Sequence, residues 1–128
     1  MDLGYHRDMD MTMEAAESRV RATLQEQGFG VLTEIDVQAT LKKKLDVDFR
    51  PYKILGACDP ASAHRALSAV PEIGLLLPCN VTVSQNDDGT VRVAAINALA
   101  MLGLVDHPDL AEIAEEVNTN LQKAIDAI

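Results

Sequence analysis

Val81-Thr82-Val83-Ser84-Gln85-Asn86-Asp87-Asp88-Gly89-Thr90-Val91-Arg92-Val93 alternates valine with polar residues on both sides of a cluster of turn-forming residues. A period of two places the valines on one face of an extended chain, while Asn, Asp and Gly tolerate the backbone of a tight reversal. The segment therefore predicts a β-hairpin. Strands that are apolar on one side and mixed on the other belong to an antiparallel sheet with a single covered face. The rest of the chain is read as what extends and covers that sheet.

Upstream, the same parity continues through Leu75, Leu77 and Cys79, which predicts a strand from Leu75 to Gln85 with an edge or bulge at Pro78. The strand after the turn runs to about Ile96. Asp59-Pro60 opens a helix, the carboxylate capping it and the proline taking the first position, where its missing N–H costs nothing. Ala63, Ala66, Leu67 and Val70 form its apolar stripe, and Pro71 and Gly74 close it. Before it, Tyr52 to Cys58 predicts a strand in which Tyr52, Ile54, Gly56 and Cys58 share a face.

Nearer the amino end, Leu3 to Met11 alternates as an edge strand, and Val31 to Ile35 is rich in β-branched residues. Between them Met13, Ala16, Val20 and Leu24 recur at helical spacing, capped by Thr12 and stopped by Gly28. Asp36 caps a short helix with Val37, Leu41 and Leu45 on one side and Lys42, Lys43 and Lys44 turned to water. At the other end, Asn97 to Asp106 is too apolar for an exposed connection, so Leu99, Met101, Leu102, Leu104 and Val105 need a cover or supply one. Pro108 opens the last helix, whose stripe is Leu110, Ile113, Ala114, Val117, Leu121, Ala124, Ile125 and Ile128. The order β-α-β-(short α)-β-α-β-β-α describes one α+β domain over residues 1–128, a mainly antiparallel sheet with helices packed on one face.

Charge narrows the function. Twenty acidic against 11 basic residues leave a net charge of -9, a surface that repels a phosphate backbone, so no nucleic-acid partner is expected. The longest weakly polar run, Val93 to Val105, is broken by Asn97 and falls short of the roughly 18 apolar residues of a spanning helix, so no membrane partner is expected. The amino end lacks a basic cluster followed by an apolar stretch, which points to a cytoplasmic protein with reduced thiols.

Cys58 ends one strand and Cys79 lies near the start of the next, with one helix between them. If those strands are antiparallel neighbours, both thiols lie at one edge of the sheet. Their parity places both on the covered face. The amino end of the following helix favours a thiolate at Cys58, and the Asp59 carboxylate opposes it. Three readings follow: a structural or interaction module without catalytic activity, in which the cysteines are packing residues and Leu99 to Val105 makes a homodimer; a thiol-dependent or small-ligand site; or a metal site using Cys58 and Cys79. The metal reading is short of ligands, because there is no CxxC pair and only His6, His64 and His107 stand beside the thiols; a symmetric dimer would pool four. No GxSxG, phosphate-binding glycine loop or HExxH is present, and no motif names a cofactor. Gly28-Phe29-Gly30 follows a helix and enters a strand, the reverse of a dinucleotide site. Asn80 and Thr82 face outward beside Cys79.

The runs GFGVLTEID (28–36), LGACDP (55–60) and LPCNV (77–81), in that order and with Ala63, Ala66 and Leu67 between them, resemble the bacterial and archaeal family called domain of unknown function 302. The resemblance spans almost the whole chain. It implies a compact fold similar to the TATA-binding-protein-like β-α-β4-α arrangement, association as a homodimer, and no established activity. Its motif cysteines fall on Cys58 and Cys79, which with Asn80 become the candidate thiol or ligand site. Where the family often has asparagine this chain has Asp59; both residues cap a helix, and the charge opposes a lowered thiol pKa at Cys58.

Overall fold

The hairpin lies inside the sheet rather than at its rim. In the structure, a computed structural model describing residues 2–128, the chain runs β1 (Gly4–Met9), α1 (Met13–Glu26), β2 (Gly30–Asp36), α2 (Val37–Leu45), β3 (Tyr52–Cys58) and α3 (Pro60–Ala69). A 3-10 segment (Pro71–Leu76), β4 (Cys79–Gln85), β5 (Val91–Ile96), α4 (Ala98–Leu102) and α5 (Pro108–Asp126) complete it. The strands form one sheet in the order β1-β5-β4-β3-β2, every neighbouring pair antiparallel. This is an α+β fold with helices packed on a five-stranded antiparallel sheet.

The turn residues act as their chemistry requires. Gly89 takes φ +88°, Asn86 N–H donates to Thr90 O at 2.8 Å, and Thr90 Oγ1 donates to Asp88 Oδ1 at 2.6 Å. β1 is an edge strand, held to β5 by an Asp8–Arg92 pair on the uncovered face at 2.8 and 3.0 Å. Arg92 and then Asn86 hold the Asp8 carboxyl down at about 2.

α1 begins where Thr12 Oγ1 accepts from Ala15 N and ends in a Schellman turn, with Phe29 N donating to Leu24 O and Gly28 at φ +90°. Phe29 and Leu24 are thereby buried together. α5 buries the predicted stripe from Leu110 to Ile125, and Ile128 is buried two residues beyond its end. Its side chains and those of α1 (Ala16, Val20, Leu24) meet Leu55, Ala57, Val81, Val83, Val91, Val93 and Ala95 on the covered face of the sheet. Full burial contributes about 1.5 to 3 kcal/mol for each large aliphatic side chain before chain entropy opposes it.

Four expectations are corrected. The strand expected from Leu75 starts only at Cys79, because Pro71 and Gly74 favour the 3-10 segment. β4 is central rather than an edge; Pro78 is tolerated because it stands one residue before the strand, where no ladder N–H is required. In β3 the covered residues are Leu55 and Ala57, so alternation puts Cys58 with Gly56 on the other side. On α3 the buried residues are Ser62 and Ala66, while Leu67 is 41% exposed; the stripe is turned because Ser62 Oγ donates to Asp59 Oδ2 at 2.9 Å.

Candidate functional site

Five carboxyl- or amino-terminal strand ends meet at one end of the sheet, and the chemistry gathers there. β3 and β4 are in register with Ala57 opposite Cys79, so Cys58 stands one residue beyond that pair, where β3 turns into α3. The antiparallel neighbourhood expected from sequence is thus present. Both thiols are free, and both line a cavity of about 300 Å³. Its walls are Phe29 from the turn between α1 and β2, Ala63 and Ala66 of α3, Leu102 of α4, and Ile113 and Val117 of α5. Leu32 and Leu67, both exposed, form its rim. A volume of this order is about twice the ~150 Å³ that encloses a benzene, and it reaches the lower range of small-molecule pockets.

The sequence alternation at Cys58 failed while its neighbourhood held. As the last residue of β3, Cys58 is half-buried and lines the cavity despite its parity, whereas Cys79 is buried against the covered face. Asn80 points elsewhere: it is exposed, opposite Gly56 in the ladder, and outside the cavity.

Burial pushes the Cys79 thiol up to about 11, and the nearby Cys58 adds to the shift. Burial also raises Cys58, with the negative charge of Asp59 second. The helix dipole, which acts to lower it, is taken up locally: Asp59 Oδ1 accepts from Ala61 N at 3.2 Å, and Pro60 has no N–H to offer. A thiol titrating near 11 is on the order of one part in ten thousand ionised at pH 7. Neither sulfur is prepared as a nucleophile.

Metal chemistry finds little support in side-chain placement. Among the described residues no three of His, Cys, Asp and Glu are grouped to hold an ion. His107 caps α5, its Nδ1 accepting from Asp109 N at 3.2 Å, and His64 faces solvent on α3. One chain would offer its two thiols and the already engaged Asp59 carboxylate.

Sequence reasoning missed most of the walls. Phe29, Ile113 and Val117 come from distant segments and carry only a core signal. Leu102 had one: the apolar run after β5 folds into α4, which buries Ala98 and Leu102 and leaves Leu99 and Leu104 exposed. That run covers the cavity through a single side chain.

A family model described as "Domain of unknown function DUF302" matches residues 5–128. Among solved structures, an uncharacterised conserved DUF302 protein of Bacillus stearothermophilus is 30% identical, with a TM-score of 0.91, over 99% of this chain and 98% of its own. No curated protein matches the chain. Among the described residues, no helix is long and apolar enough to cross a membrane.

Proposed function

The chain belongs to the DUF302 family, and from that premise we propose that it is a cytoplasmic protein that binds a small, mainly apolar molecule in the cavity beside Cys58 and Cys79. The observation that carries this reading is the cavity itself, whose lining is almost wholly apolar and comes from both helical and sheet layers. An apolar recess of this size is costly to keep open without an occupant, since its walls forgo packing contacts that a collapsed core would make. Protonated thiols suit such a site as weakly polar wall groups, and their raised pKa values speak against a thiolate mechanism.

Phenylnaphthylamine, a neutral dye that brightens in apolar surroundings, tests the proposal. The wild-type protein is expected to enhance its fluorescence saturably, and Ala63→Phe, which fills the recess from α3, is expected to abolish the enhancement while remaining folded by circular dichroism. Equal enhancement by both proteins would remove the cavity from the account.

For association we infer a homodimer. It is supported by exposed apolar side chains clustered in sequence on and after β2: Leu32 (69%), Ile35 (49%), Leu45 (66%), Val47 and Phe49. Every residue of β2 and α2 is exposed or half-buried, so this segment presents apolar surface that a second copy would cover.

A further inference from the structure

The cavity has one charged wall, and its sign restricts what can enter. Asp59 lines the recess where β3 passes into α3, and among the described residues no Lys, Arg or His lines it. An anionic ligand would therefore meet a carboxylate and no counter-charge. It would find few donors either: the first helical residue is Pro60, and the Ala61 N–H already donates to Asp59 Oδ1. The usual anion site at a helix start is filled by the protein's own carboxylate.

A cation meets the opposite situation. Asp59 accepts from Ala61 N at 3.2 Å and from Ser62 Oγ at 2.9 Å, and a carboxylate offers about four lone-pair sites, so acceptor capacity remains. Ser62 is buried and its Oγ donates to Asp59 Oδ2, which fixes the carboxylate in one orientation where β3 passes into α3. Beyond Asp59 the recess is apolar, from Ala63 and Ala66 to Leu102 and Val117. The net charge of -9 adds a field that favours approach of cations.

We propose that the cavity selects a small protonated amine carrying an apolar or aromatic body, with the ammonium at Asp59 and the body against Ala66, Leu102 and Val117. This deepens the ligand-binding reading and rests on it. The ammonium stays at the half-buried wall near water, where a carboxylate partner makes a charge-assisted hydrogen bond. The ring replaces the missing contacts of the recess.

Three probes of one ring size separate the claims: naphthylmethylamine, naphthylmethanol and naphthoate, titrated by calorimetry at low salt. The wild-type protein is expected to bind the alcohol, to bind the amine about tenfold more tightly than the alcohol, and to bind naphthoate more weakly than either. Asp59→Asn retains a capping side chain and is expected to lower the ratio of amine to alcohol affinity from about tenfold to about one. If naphthylmethanol and the amine both fail to bind, the ligand-binding reading itself falls. If the alcohol binds while the wild-type protein takes amine and naphthoate equally, or while the Asn variant keeps the amine preference, the cavity stands and the charge selection is refuted. The comparison of the three probes on the wild-type protein decides the matter even if Asp59→Asn does not fold.

Discussion

Cys79 shows how a residue can be conspicuous in the sequence and act by burial rather than reactivity. Its thiol keeps its proton to about pH 11 in the folded chain, whereas an unfolded thiol ionises from about pH 9. Between those values the unfolded state binds fewer protons than the folded one, so stability falls as pH rises. The loss reaches roughly 2 to 3 kcal/mol once pH passes 11, and it is absent below pH 9. Urea denaturation of wild type and Cys79→Ala across pH 7 to 11 measures it. The stability advantage of wild type over the variant is expected to be constant up to about pH 9 and to shrink by that amount above it. A constant difference throughout would mean that Cys79 is not buried as described. The sequence located both cysteines at one sheet end but misjudged the face of Cys58. In β3 both alternating sets are apolar, Tyr52 and Ile54 on one side and Leu55 and Ala57 on the other, so parity alone does not choose. The pairing of Ala57 with Cys79 chooses it.

At the scale of elements, the contact among β2, β3 and β4 depends on Gly56. A Cβ there would fall within the van der Waals shells of Thr33 Oγ1 and the Pro78 ring, which close over the glycine from either side. Gly56→Ala is expected to destabilise the protein by about 1 to 3 kcal/mol, as forced overpacking does, and Thr33→Ala is expected to recover part of it. Chemical denaturation of the single and double variants checks both; an additive double variant would show that the two positions do not touch. The hairpin, α1 and α5 were legible because each carries a single clean period and its own start or stop residues, such as Thr12, Gly28 and Pro108. The 3-10 segment was not, since Leu75, Leu76 and Leu77 fit any local conformation and only Pro71 and Gly74 tip the balance. The bulge between Val31 and Thr33, which carries Leu32 to the cavity rim, left no mark in the alternation.

For the whole molecule, the fold followed from local patterns and the site did not. The cavity walls are assembled from the turn after α1, β2, β3, α3, the 3-10 segment, β4, α4 and α5, and a residue such as Val117 looks the same in sequence whether it packs on a neighbour or faces a recess. The exposed apolar run on β2, α2 and the following segment bears on association. Sedimentation is expected to give a dimer, and Leu45→Glu with Phe49→Glu is expected to give a monomer with unchanged dye binding. A wild-type monomer would remove that part of the account. The ligand claim is tested most directly by alanine-methyl NMR during titration with phenylnaphthylamine. Saturable shifts at Ala57, Ala63 and Ala66, with Ala94 on the uncovered face unmoved, are the expected result; no shift at the three cavity methyls, or shifts spread evenly across the sheet, would contradict it.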